Sequence, residues 1–257
     1  MATNRRPEPP PRRLAALLAA ALLLAAAPAA AAPSDQPRRF EYRVAWNGIP
    51  AAGATVAVTR GELIGRPSVE VEASARTNAF VDIFWPFRGT AKTTFLADGV
   101  EPLRFVYERS MAGTKYLTTI DFDADDVARS VSVKGSKRRE QAVDEAGILD
   151  PITAVFRARL SGARAGDQLQ YEIFTGESRY RVRLSVVGTD VIEVPAGRFA
   201  ALRVIPEVWK IGRAAKPDKR LQRATIWVAD DADRTLLRIR SEIFIGAVTL
   251  DLVKIDA

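Results

Sequence analysis

FEYRVAW, residues 40–46, sets Phe40, Tyr42, Val44 and Trp46 at every second position, with Glu41, Arg43 and Ala45 between them. A period of two is the side-chain period of a β-strand, so this stretch reads as a strand with one buried face. Outward from it the same alternation recurs. Val69, Val71, Ala73 and Ala75 alternate with Glu70, Glu72 and Ser74, and Leu103, Phe105 and Tyr107 are followed by Tyr116, Thr118, Ile120 and Phe122. Later runs hold Leu169, Tyr171 and Ile173, then Tyr180, Val182, Leu184 and Val186, and finally Val248, Leu250 and Leu252. Short connectors such as Asn47-Gly48, Ala112-Gly113, Thr175-Gly176-Glu177 and Pro195-Ala196-Gly197 have hairpin length and turn chemistry. About twelve antiparallel strands are expected from these runs. A twisted open sheet of that size curls or splits, so the expected fold is all-β with one or two short helices: a large curled antiparallel sheet forming a barrel, a half-barrel or a two-layer sandwich.

One helix stands out. Asp150 suits the N-cap, Pro151 suits the first helical position, Ile152, Val155, Phe156 and Leu160 fall on one face, and Gly162 ends the run. A second helical turn is expected in NAFVDIFWPFRG, residues 78–89, where Phe80, Phe84, Trp85 and Phe87 crowd together before and after Pro86. These rings read either as an aromatic plug in the core or as a lid over an apolar cavity or a loop that dips into a bilayer. RVIPEVWKI, residues 203–211, is apolar on both faces: Val204 and Val208 on one, Ile205, Trp209 and Ile211 on the other, and Trp227 likewise opposes Ile226. Strands of that kind need cover on both sides.

The N-terminus reads as a targeting segment. Arg5, Arg6, Arg12 and Arg13 precede the apolar run Leu14 to Ala27 and an alanine-rich stretch to Ala32. At about 1.5 Å per residue the run reaches only roughly 20 Å, short of the roughly 30 Å bilayer core, so residues 1–32 are read as a secretory signal peptide cleaved near Ala29 to Ala31. Residues 33–257 form a single β domain in this reading, exported to the periplasm, with no transmembrane segment and with peripheral membrane contact left open. Removing the signal takes four arginines and one glutamate from a chain of net charge +7, leaving 34 basic against 30 acidic residues. Both signs are mixed along the remainder without a basic block, so nucleic acid is not an expected partner.

The chain contains no cysteine and no histidine. That removes thiol nucleophiles, thiolate metal sites, disulfides, and the commonest general base and transition-metal ligand. No catalytic residue, metal site or cofactor is assigned. In IWVADDADRTLLRI, residues 226–239, Asp230, Asp231 and Asp233 lie between two apolar runs and read as turn residues, since one short connection cannot supply the roughly six oxygens of a calcium site. Asp121, Asp123 and Asp125 begin with calcium-loop spacing, but Asp126 and Ser132 stand where that loop needs glycine and glutamate. Lys134 to Gly147 and Arg213 to Arg223, the latter holding Lys216 to Lys219, read as charged solvated loops. Arg179, Arg181 and Arg183 form a basic strip along one strand face, either a solvent face or a seat for an acidic ligand.

FEYRVAWNGIPAAG at the start of the mature chain, Asp150 at the helix opening with Arg157 or Arg159 on the helix, VPAGRF from Val194 to Phe199 and IWVADDADR together resemble the secreted bacterial family DUF3108, a domain of unknown function. The resemblance spans essentially the whole mature chain and implies a β-rich envelope protein without lending a catalytic residue. The expected function is a non-enzymatic periplasmic binding or carrier protein for an apolar or amphipathic, lipid-like envelope molecule, with Phe80, Phe84, Trp85, Phe87, Trp209 and Trp227 as candidate ligand-binding residues. An envelope scaffold or protein-interaction module and a carboxylate-dependent glycan-active enzyme stand as alternatives, the last needing two acids roughly 5 to 10 Å apart across a cleft.

Overall fold

The structure is a computed structural model that describes residues 37–212, 216–217, 224–242 and 246–256. The expected signal peptide and most of the 213–223 loop lie outside the described residues. The first half of the chain is a meander of β1 (Arg38–Trp46), β2 (Ile49–Leu63), β3 (Arg66–Thr77), α1 (Ala79–Asp82), β4 (Phe87–Leu96), β5 (Glu101–Met111), β6 (Thr114–Phe122), β7 (Val127–Lys134) and β8 (Lys137–Asp144). The helix α2 (Pro151–Leu160) leads to β9 (Gln168–Phe174), β10 (Arg179–Val194), β11 (Gly197–Ile211), β12 (Lys216–Pro217), β13 (Ala224–Ala229), β14 (Leu236–Glu242) and β15 (Ala247–Asp256).

All fifteen strands belong to one antiparallel sheet, ordered β8-β7-β6-β5-β4-β3-β2-β1-β15-β14-β13-β11-β10-β9, with β12 paired to β11. The first and last strands pair at its centre, Val44 opposite Leu250 and Trp46 opposite Val248. The two half-chains therefore fan out to opposite edges, β8 and β9, and α2 is the crossover between those edges. The sheet is curled and not closed into a barrel, which selects the open form among the expected architectures. At the seam a single parallel bridge joins Leu149 to Ile173, with Phe174 N–H donating to Leu149 O at 2.8 Å. Side chains complete it: Arg179 pairs with Glu145, and the Gln141 amide donates to Gly176 O at 3.2 Å while accepting from Arg139.

Alternation places most of the core where the sequence predicts it, but a register shift after Val44 buries Ala45 and leaves Trp46, expected on the buried face, 41% exposed. Phe40, Tyr42, Val44, Val69, Val71, Ala73, Ala75, Phe105, Ile120, Val248, Leu250 and Leu252 are buried. Asn47-Gly48 and Ala112-Gly113 both have positive φ at each central residue, the geometry of tight hairpins whose twist matches the strands. The strand number exceeds the expected twelve, in part because the charged stretch expected as a solvated loop is a hairpin: β8 pairs with β7 from Lys134↔Lys137 to Val127↔Asp144. An edge strand has one neighbour and one open side, so it tolerates charge on both faces and loses the alternation that marks a half-buried strand.

The α2 helix forms as expected. The Asp150 side chain accepts from Ile152 N (2.9 Å) and Thr153 N (3.0 Å), and Ile152 and Phe156 pack into the core. Leu160, expected on the buried face, is half exposed at the last position of the helix, next to the C-cap Ser161. Asp150 also accepts from the hydroxyls of Thr93 on β4 (3.0 Å) and Thr153 (2.5 Å). Farther along, Arg157 donates to Val100 O at 2.8 Å in the β4–β5 turn, and Arg159 donates to the carbonyls of Asp233 and Arg234 in the β13–β14 turn. Those three attachments tie α2 across one end of the curled sheet.

Candidate functional site

The other end of the sheet carries the β1–β2 turn, α1, the β5–β6 and β7–β8 turns and the β9–β10 turn, by the alternation of strand direction. The α1 segment is held to this rim by its polar residues. Asn78 caps the turn, accepting from Val81 N at 3.0 Å, and donates to Pro50 O at 2.7 Å. Asp82 is bound by Arg88 and Thr77, and Arg88 with Thr77 holds its carboxyl down near 2, well below the ordinary 3.8.

This anchoring divides the expected aromatic site in two. Trp85 (7% exposed) and Phe87 (0%) turn inward and stack at 6.0 Å, so they are core. Phe80 (64% exposed), Ile83 (74%) and Phe84 (76%) turn outward, the two rings meeting edge to face at 6.1 Å. Only Phe80 lies within the four-residue helix, Phe84 and Trp85 follow it as consecutive residues whose side chains diverge, and Phe87 opens β4 on its buried face. Exposed Ile49 and half-exposed Trp46 flank the β1–β2 turn, to which Asn78 ties α1, so both connections of this rim expose apolar side chains.

Trp209 and Trp227 are not joined to these rings by any ring contact among the described residues. Register puts them on one face of β11 and β13, opposite Val204, Val208 and Ile226. Trp227 donates to Asp190 Oδ2 at 2.8 Å and packs against the core, while Trp209 lies under the Arg183 guanidinium at 5.1 Å. The expected basic strip is neutralised along its length, since Arg181 pairs with Glu172 and Arg183 with Glu207 on flanking strands.

The aspartates of residues 230–233 turn the chain. Asp231 Oδ1 accepts from Asp233 N (3.0 Å) and Arg234 N (2.9 Å), and Arg234 takes a positive φ. Asp121 and Asp123 pair with Arg104 and Arg129. No group of three or more acidic, histidine or cysteine residues is placed to hold a metal ion among the described residues.

Two features escaped the sequence reading as sites. The first is an apolar wall. Leu169, Tyr171, Ile173, Tyr180 and Val182 share the face that continues, through Val208 and Val204, into the core row Ile226–Ile239–Leu250–Val44. On β1–β4 that face is sealed, whereas on β9 and β10 these five side chains stay half-buried and outside the core cluster. Burial raises the Tyr171 hydroxyl pKa, and Arg157 on α2 opposes the rise. Their signal was present as two adjacent alternating runs, but the missing cover is a tertiary fact. The second feature lies on the same face of β5–β8, where Tyr107, Arg109, Tyr116 and Lys134 gather near the rim. A separate hollow of about 440 Å³ against β1–β4 is lined by Glu41, Thr55, Ser74, Arg76 and Thr90 among others, a polar and mixed-sign surface unsuited to an apolar molecule.

Comparison with solved structures finds one with a TM-score above 0.5 and others more distant. A β-barrel-like protein of domain of unknown function DUF1849 from Brucella abortus superposes with a TM-score of 0.54 at 11% identity, covering 88% of this chain and 99% of its own. An exported protein with a YmcC-like fold from Bacteroides fragilis gives 0.41 at 10% identity over 88% and 98% of the two chains. The hypothetical lipoprotein YmcC of Escherichia coli gives 0.34 at 11% identity over 97% and 98%. None of the curated proteins matches the chain. The family model described as protein of unknown function DUF3108 matches residues 41–253, from the first strand to the last, and the chain belongs to that family.

Proposed function

We propose that the protein is a non-enzymatic carrier of the bacterial envelope that holds an apolar or amphipathic, lipid-like molecule against the half-covered face of β9 and β10. The observation that carries this reading is the wall of Leu169, Tyr171, Ile173, Tyr180 and Val182, which the core leaves only partly covered. Apolar surface of that extent facing the interior of a curled sheet gains roughly 25 cal/mol for each Å² that a ligand removes from water. The exposed Phe80, Ile83 and Phe84 support the reading as a contact surface for a greasy donor or acceptor, and the signal-like N-terminus supports export. Absence of histidine and cysteine from the sequence favours holding over transforming.

The test compares protein purified without detergent before and after solvent delipidation, by native mass spectrometry and by binding of a fluorescent fatty-acid probe. A bound mass that delipidation removes, and probe affinity that falls about tenfold in Val182→Asp, are the expected results. Identical spectra together with no probe binding would sink the reading. A second reading, a protein-interaction module, is favoured by one observation, the tip of Phe80, Ile83 and Phe84. It predicts that Phe84→Ser leaves probe binding intact while envelope function in cells is lost.

A further inference from the structure

The core-bearing face of β5–β8 sets two cations against one tyrosine ring. Arg109 lies opposite Tyr116, and Tyr116 lies opposite Lys134, which in turn faces Lys137. In the next row Tyr107, Thr118, Ser132 and Arg139 follow one another. The Arg109 guanidinium sits 4.6 Å from the Tyr116 ring centre and 5.3 Å from that of Tyr107, and the Lys134 ammonium sits 5.2 Å from the same Tyr116 ring. Two cations thus share one tyrosine within about 10 Å of each other, close to the Debye length at 0.1 M salt, so the solvent does not screen their repulsion away. Like charges directly opposite on neighbouring strands, as at Lys134 and Lys137, add to the cost.

Several arginines on exposed faces meet carboxylates, as in Arg88–Asp82, Arg104–Asp121 and Arg181–Glu172. Neither Arg109 nor Lys134 has a carboxylate within ion-pair distance among the described residues. Arg109 Nε is also buried without a hydrogen-bond partner among them, and the Tyr107 hydroxyl has the same guanidinium as its neighbour. Buried donors in that condition cost free energy unless something accepts from them. Tyrosine faces pre-orient a guanidinium, and its planar donors match the oxygens of phosphate or carboxylate.

We infer that Arg109, Tyr107, Tyr116 and Lys134 form a binding site for an anionic oxygen group, a phosphate or a carboxylate, presented as the head of an amphiphile. The layout suits one molecule with two ends. Thr118 in the cluster touches the β9–β10 turn at Gly176, and Ile173 and Tyr180 of the apolar wall flank that turn. Ser130 donates to Gly176 O at 2.7 Å, fixing the wall against the cationic rows. Lys134 is exposed at the rim opposite α2 and Arg109 is half-buried behind it, so a head group reaches them from solvent. This assignment of the head group rests on the carrier reading for its tail, while the anion site itself stands on the cluster alone.

The experiment measures binding of dodecyl phosphate, of dodecyl maltoside below its micelle concentration, and of inorganic phosphate to the mature chain by calorimetry. Wild type is expected to prefer dodecyl phosphate to the maltoside at least tenfold, and to bind inorganic phosphate only in the millimolar range. Arg109→Met is expected to erase the preference and leave maltoside affinity unchanged, with Arg109→Lys retaining part of it. Lys134→Met, at an exposed position, carries the same test should Arg109→Met fail to fold, with an expected threefold to tenfold loss. Equal affinity for the two amphiphiles in wild type, or a preference untouched by both variants, overturns the anion site and leaves the carrier reading standing. Phosphate binding without binding of either amphiphile keeps the anion site, with a free anion as its ligand, and overturns the carrier. No binding of any probe overturns both.

Discussion

Gly176 shows how much a single backbone position holds. Its φ is positive, and a Cβ there would collide with the Thr118 side chain while meeting Ile120 and Ser130 at ordinary contact distance. Gly176→Ala therefore combines left-handed strain with overpacking against Thr118 on β6, and an equilibrium urea titration should show a loss of roughly 3 kcal/mol. Asp82 is the other telling residue. Its folded pKa, near 2, lies below the ordinary 3.8, so its bonds to Arg88 and Thr77 contribute stability above pH 4 and lose it as pH falls toward 2. Trp85, three residues along, should report this as an acid-phase change in fluorescence that Asp82→Asn removes, and an unchanged titration in that variant would contradict it. At this scale the sequence was informative about caps and turns: Asp150, Asp231 and Asn47-Gly48 behave as their chemistry demands. It was uninformative about which rings in residues 80–87 face inward, because that depends on the orientation of one four-residue turn pinned from outside by Pro50 and Arg88.

Among the elements, α2 is held at both ends. Burial raises the Asp150 pKa, while four donors from Thr93, Ile152 and Thr153 oppose that shift and hold the carboxyl in place. Asp150→Ala removes the cap and takes from two buried threonine hydroxyls their carboxylate acceptor, leaving Thr93 its bonds to Arg104 O and the Thr153 hydroxyl. A loss of about 2 to 4 kcal/mol is expected, seen calorimetrically as a fall in Tm of roughly 10 °C. Its boundaries were legible because capping, proline preference and apolar spacing are local signals. The attachments of Arg157 and Arg159 were not, since each reaches a turn more than fifty residues away in sequence. The β8 strand was missed for the converse reason. Its residues KRREQAVD carry no local sign of a strand, and only pairing with β7 makes them one.

On the scale of the whole molecule, alternation announced strands and faces but not neighbours. Pairing of β1 with β15 spans almost the entire chain, and no short-range pattern encodes it. The same pairing puts the strands with two partners at the centre and leaves β8 and β9 as outer edges. Hydrogen exchange should follow this order, with amides of β1–β4 and β15 exchanging only through global opening and those of β8 and β9 exchanging at opening energies lower by a few kcal/mol. Uniform protection across all strands would contradict it. A closed barrel has its girth set by strand number and stagger. This hoop is instead fastened by a clasp, made of one helix, the Leu149 bridge and a few side chains. Loosening the clasp costs those contacts alone and leaves every other rung of the ladder intact, so the two edges are the place where the hoop opens at least cost.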